Sequence, residues 1–388
     1  MAKDTGGAST PNWQAQNLAA RNAILQQGVD MVIPIYTQTL TGTLPGQVVN
    51  IPIRNVGLIK RFFVEIKASF AQGAAETQTL TPQGLSNFLS NVTFTDLSNQ
   101  TRINTSGWHL HYLATARRQA AFGAAFTNDS PTGIGSNFSI IKAPATVTTV
   151  QPLSMFYEVP LAYGDFDLRG AIYANVVNAT MNLQLTINPN FSVGSTADKS
   201  ISCYQSSTGQ VGVLSALTIT VYQNFLDQLP MVAGQGAVLP LYDLANAYLI
   251  NQTSVSGIVS AQDNPLPFAN FRNFLSTILV YDNQTGGGAL NAGTDINYFS
   301  LQSANYTNIF KLDPYAAKLL ERTIINDDLP AGHYYFDFRR RPISTVQYGN
   351  MQLIFNPSSV QTGAAVFVGY EALALINQVT QAGSLYGT

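Results

Sequence analysis

Over most of the chain, apolar and polar residues alternate with a period of two. Val29, Met31, Ile33 and Ile35 are interleaved with Asp30, Val32 and Pro34, and Val49, Ile51 and Ile53 with Asn50, Pro52 and Arg54. The cleanest run is 59–70: Phe62, Val64, Ile66, Ala68 and Phe70 fall on one side, Arg61, Phe63, Glu65, Lys67 and Ser69 on the other. Strand side chains point to alternate faces, so this pattern predicts strands with one face on a core. Further strands are predicted at 91–94, 146–153, 156–159, 171–176, 181–187 and 213–222, separated by segments rich in Gly, Asn, Ser and Thr. After a break at 223–238, where 223–229 reads as a helical turn before Pro230 and 232–237 as a Gly-rich connection, strands resume at 239–241, 274–281, 333–338, 343–348, 351–355 and 364–370.

Two segments have helical character instead. Residues 13–27 lack breakers until Gly28, with Ser9 or Thr10 as cap and Pro11 in the first turn. Its apolar face is modest, which predicts a docking helix. The second is 313–322, with Asp313 as cap and Pro314 at its first position. Many short strands with loops between them indicate an all-β sandwich or jelly roll. The length and the central break divide the chain into a helical arm (1–28), a first β domain (29–229), a linker (230–238), a second β domain (239–375) and a tail (376–388). A faint echo joins the halves: PLAYGDFDLR begins at Pro160 and PAGHYYFDFR at Pro330.

Composition changes the picture in one respect. Of 388 residues only 10% are charged, against 46% hydrophobic, and the formal net charge is -2. Neutral Asn and Gln outnumber all charged residues together. Interface cores are depleted in charge, so such a surface suits a protein that buries its flanks against copies of itself. Balanced charge leaves no basic footprint for nucleic acid. No apolar run approaches the roughly 18 residues of a membrane span, no signal peptide is apparent, and the single Cys203 permits no internal disulfide.

The strongest candidate for chemistry is SGWHLH, 106–111. On a strand His109 and His111 would share a face, as two metal ligands must. The third histidine, His333, is far along the chain and no cysteine completes a set, so Trp108, His109 and His111 are expected to form a structural polar cluster, with no metal or cofactor. There is no phosphate loop, nucleophile elbow or HExxH pair. Gly286–Gly288 reads as a turn. Asp165 and Asp167 lack the other acids of a calcium loop, and Cys203 has no adjacent base. A carbohydrate-binding sandwich or a β-fold glycosidase stays open on this reading, because paired carboxylates need not be close in sequence.

TSGWHLHYLATAR (105–117), TNDSP (127–131), VPLAYGDFDLRGAIYANV (159–176), TVYQNFLDQLP (220–230), LNAGTDINYFS (290–300), KLDP (311–314) and RPISTVQYGN (341–350) resemble, in this order, the major capsid protein of tectiviruses. These are tailless icosahedral bacteriophages with a membrane inside the shell. The resemblance implies a double jelly roll, two eight-stranded sandwiches side by side with an N-terminal helix and few short helices. It also implies a location in the virion shell, homotrimers with a nearly hexagonal outline, and contacts with neighbouring trimers, minor capsid or vertex proteins and the inner membrane. No sequence-specific nucleic-acid binding is expected. Lys3, Trp13 and Arg21 are the expected contacts to membrane or an inner partner.

Overall fold

The computed structural model describes residues 13–72, 77–81, 83–118, 146–176, 180–195, 201–207, 209, 211–232, 236–270, 272–282, 295–325, 329 and 332–376. Lys3, the proposed cap at Ser9 or Thr10, Pro11, block 127–131, the glycine run 286–288 and the tail from 377 lie outside them.

Sixteen strands carry the architecture. In chain order these are β1 (Val29–Leu40), β2 (Val48–Pro52), β3 (Leu58–Ala71), β4 (Leu89–Thr95), β5 (Thr101–Thr105), β6 (Gln151–Pro160), β7 (Asn182–Ile187) and β8 (Val213–Asp227). There follow β9 (Asn246–Ser256), β10 (Asn264–Pro267), β11 (Asn273–Asp282), β12 (Ile296–Ser303), β13 (Phe310–Leu312), β14 (His333–Asp337), β15 (Met351–Pro357) and β16 (Ala365–Leu375). Three helices stand out: α1 (Trp13–Gln27), α2 (Gly107–Arg118) and α3 (Pro314–Ile325).

The first eight strands form two sheets, ordered β1-β8-β3-β6 and β2-β7-β4-β5. The last eight repeat this order eight strands later, as β9-β16-β11-β14 and β10-β15-β12-β13. In each set the first strand lies beside the last and the second beside the seventh, which is a long hairpin rolled into a sandwich: a jelly roll. The helices repeat too, since α2 follows β5 and α3 follows β13. One contact fuses the rolls. β5 pairs in parallel with β9, Ile103 opposite Ile250 and Asn104 opposite Asn251, so one sheet continues from the first roll into the second.

The alternation in β3 falls as predicted, with Phe62, Val64, Ile66 and Phe70 inside the first core. Behaviour differs in the shared sheet. β11 is buried along almost its whole length, because its inner face packs on the second core while Leu275, Ile278 and Val280 face the first. A sheet covered on both sides loses its period of two.

Several expectations are corrected. Residues 223–227 continue β8 and are not a helical turn. Residues 241–244 form a helical turn instead of strand, and 345–348 do likewise after a short strand at Ile343–Ser344. The Gly-rich connection contains a small hairpin, Met231–Val232 against Gly236–Ala237. Residues 107–118 are helical, so His109 and His111 do not share a strand face; two residues apart on a helix, they diverge by about 200°.

Candidate functional site at the joint between the rolls

The helix α2 leaves β5 and crosses the outer face of β9-β16-β11-β14. That face is mostly apolar, yet at its centre lies Glu371, fully buried. Ser276 Oγ donates to its Oε2 at 2.6 Å, and Tyr248 Oη donates to its Oε1 at 2.7 Å. From α2, Arg117 Nη2 donates to the same Oε1 at 2.7 Å and also to Tyr248 Oη. The guanidinium lies over the Tyr248 ring, 4.7 Å from its centroid. Burial alone would push the Glu371 carboxyl up; Arg117, with the Ser276 and Tyr248 hydrogen bonds, outweighs it and holds the carboxyl below its usual range. Burial likewise opposes charge on Arg117, and Tyr248 and Glu371 overcome that, raising its pKa. The pair is thus ionised, desolvated and shared between rolls.

About two turns earlier on α2 are the three residues singled out from sequence. Trp108, His109 and His111 are all buried, and His333 at the start of β14 joins them despite its distance in sequence. Its ring is 6.3 Å from Trp108 and 5.1 Å from Tyr112, edge-on to both. His111 packs 5.3 Å from Tyr112. His109 Nδ1 is 2.6 Å from Thr105 Oγ1, and its ring lies flat on Gly369 of β16, where a Cβ would meet ring atoms at 2.5–2.6 Å. The glycine is therefore required by close approach, not by backbone conformation. Gly369→Ala is expected to lower stability by about 1–3 kcal/mol through overpacking, measured as a fall in the denaturation midpoint; an unchanged midpoint would mean the ring does not seat there.

Burial pushes the His109 imidazole down to about 4, against a smaller opposite pull from Glu371. The sign follows. Above pH 6.5 the group is neutral folded and unfolded, and it contributes no pH dependence. As pH falls from about 6.5 towards 4, the unfolded chain takes up a proton that the fold refuses, and stability declines by about 3 kcal/mol over that window. His109→Asn is expected to flatten the slope of unfolding free energy there; an unaltered slope would assign the acid sensitivity elsewhere.

The arm helix is fastened to the turn that precedes β9. Asn17 Nδ2 donates to Asp243 Oδ1 at 3.0 Å, and Arg21 closes on the same carboxylate through Nε at 2.5 Å and Nη2 at 2.6 Å. Ile24 is fully buried with Leu58, Leu168, Leu226 and Leu244. Arg21 is therefore engaged within the chain by Asp243 while its side chain stays partly exposed. Trp13 is 52% exposed and rests on Tyr242, ring centroids 4.9 Å apart.

The sequence echo is a local structure. Arg169 returns to Asp167 through its backbone N–H at 3.2 Å, Nε at 3.0 Å and Nη2 at 2.6 Å. Arg339 does the same to Asp337 at 2.8, 2.9 and 2.9 Å. Asp165 pairs with Arg61, so the acids considered for calcium face arginines. Arg117, Tyr248, Ser276 and Glu371 escaped the sequence reading. The signal was a single acid inside the apolar run VFVGYEALAL, which demands a buried cation from elsewhere in the chain.

Arg117, Tyr248, Ser276 and Glu371 bind each other, and among the described residues no three or more His, Cys, Asp or Glu side chains gather as a metal site requires. What the geometry achieves is the coupling of two jelly rolls.

Solved structures place that architecture among double jelly-roll viral capsid proteins. The crystal structure of the STIV MCP covers 92% of this chain and 100% of its own, at TM-score 0.62 and 13% identity, and the major capsid protein P2 of bacteriophage PM2 covers 90% and 98% at 0.50 and 7%. In sequence, the family described as P3 major capsid protein N-terminal matches residues 5–229 and its C-terminal counterpart matches 245–386. Major capsid protein P3 of Enterobacteria phage PRD1 is 38% identical over 381 residues, 96% of this chain and 95% of that protein. The chain belongs to the P3 major capsid protein family: it is a tectiviral major capsid protein, a component of the virion shell that assembles with copies of itself.

Proposed function

We propose that three copies close into a homotrimer with a nearly hexagonal outline, and that these trimers tile an icosahedral shell around an internal membrane and the genome. The observation that supports this most directly is the twice-repeated strand order: one chain offers two similar rolls side by side, and three chains offer six. On this reading 29–229 and 239–375 are the two building units, 230–238 joins them, and closed threefold symmetry limits the block to three chains. The role is structural, not enzymatic. Minor capsid or vertex proteins are further partners, and Lys3 and Trp13 serve the inner side, Trp being suited to a lipid interface; Arg21 serves to fasten α1.

Native mass measurement and imaging of the purified protein test this: a particle of three chains with six-lobed outline is expected, and a stable monomer at high concentration would end it. With 10% charged residues, trimers are also expected to persist between about 0.1 and 1 M NaCl, because screening removes little from contacts made by neutral side chains. Sharp dissociation over that range would refute the neutral-contact account.

A further inference from the structure

We infer that the second roll carries a binding site for a neutral saccharide, on the outer face of β10-β15-β12-β13 where that sheet meets the turn between β12 and β13.

A cavity of about 500 Å³ opens there, a volume typical of small-molecule sites. Its floor follows from register. Leu266 of β10, Leu353 of β15 and Leu301 of β12 lie level with one another and are buried in the second core, so their neighbours Pro267, Gln352 and Gln302 form a row on the opposite face. Asn270, in the connection after β10, and Asn350, just before β15, extend the polar lining. The far wall is the turn after β12. Ala304 N donates to Asn350 O at 3.0 Å, and Ser303 Oγ accepts from the backbone N–H groups of Asn305 and Tyr306.

Four amides thus converge on the cavity, and among the described residues no hydrogen bond joins the side chains of Asn270, Gln302, Asn350 and Gln352 to the chain. Elsewhere such pairs satisfy themselves. In the matching sheet of the first roll Gln184 and Asn50 stand opposite each other and close at 2.9 Å. Further along β12 and β15, Asn297 Nδ2 donates to Asn356 Oδ1, again at 2.9 Å. Gln302 and Gln352 are opposed just as directly, yet they line the cavity unpaired, with their donors and acceptors left for a guest.

The lining selects the class of guest. Among the described residues it includes no charged side chain, so nothing there offsets the desolvation of an ion, and four unsatisfied amides disfavour an apolar molecule. An amide presents a donor and an acceptor side by side, which matches the adjacent hydroxyls of a sugar ring. Beside the cavity Tyr306 and Tyr348 meet edge-on, centroids 5.9 Å apart, and Tyr306 is 55% exposed. Such rings offer an apolar face to the C–H side of a sugar and a hydroxyl to its edge. Gly349 keeps this wall close, since a Cβ there would lie 3.3 Å from the Ala304 Cβ. β9, which joins the rolls, belongs to the other sheet, so binding here leaves the joint untouched and adds a ligand-binding activity to the structural role.

Saturation-transfer NMR on the full-length protein tests this, with lactose, maltotriose and chitotriose as probes and titrations to give dissociation constants. At least one of these sugars is expected to receive magnetisation from the protein. Gln302→Ala/Gln352→Ala is expected to weaken its binding by about tenfold or more, through the loss of at least two hydrogen bonds. Ala304→Trp fills the cavity from an exposed turn and leaves all four amides in place; it is expected to abolish the signal, and it serves should the double variant fail to fold. Circular dichroism and thermal unfolding establish folding. Absence of transfer to all of the sugars would overturn the inference, and so would binding that survives unchanged in either folded variant.

Discussion

Arg117→Met is expected to lower stability by about 3–5 kcal/mol, since it leaves the Glu371 carboxylate buried without a counter-ion. The two hydrogen bonds from Tyr248 and Ser276 remain, but neither supplies charge, and Glu371 is fully buried. The double variant Arg117→Met/Glu371→Leu is expected to recover most of the loss, because removing both ions also removes their desolvation. Denaturant midpoints for wild type, both single variants and the double variant close the cycle. Additive losses would mean that the ions do not depend on each other. Acid separates this pair from His109: a carboxyl held below its usual range stabilises the fold above the unfolded glutamate range and loses that contribution as pH falls through its folded value. Its window therefore lies below that of the histidine.

Trp108→Ala is expected to cost about 3–5 kcal/mol, the range for emptying a large aromatic site in a packed core. Trp108 sits where the first roll's helix meets the ring of His333 in the second, so the cavity opens at the joint. The expected signature is local as well as global. Backbone amides of β5, β9 and β14 should exchange faster with solvent than those in β3, while Trp108→Phe should preserve much of both readouts. Unchanged stability in Trp108→Ala would show that the joint is held by other residues.

What was legible in the sequence follows from where water reaches the strands. β3 reads plainly because Arg61, Glu65 and Lys67 mark its outward face. β11 still reads as a strand, at 274–281, although it is pressed on from both sides; β9 escapes because only its first half is buried and the rest is mostly polar and exposed, which leaves no apolar period. The short β10 and β13 carry too few residues for any period to register. SGWHLH misled for a different reason: β5 ends at Thr105, and Gly107, pressed against Ser86 O and the Tyr157 ring, starts a helix with no acidic residue in its first turn. Trp108, His109 and His111 were picked out because bulky polar rings need fixed surroundings, and all three are buried. Their partners Gly369 and His333 were not, being supplied by the other roll more than 200 residues away. Arg21 looked free in the sequence because Asp243, its partner, lies across the chain in an unremarkable turn.

The parallel pairing of β5 with β9 bears on how fast a shell grows. A ring of six separate rolls would need six bodies to meet and six junctions to form, and its rate would fall steeply with dilution. Covalent linkage makes one junction in every two an intramolecular event, at an effective concentration on the order of millimolar. In the proposed trimer three junctions then exist before any two chains meet, and only two encounters and one ring closure remain. For such a trimer, the lower molecularity makes ring formation less sensitive to dilution when copies are scarce.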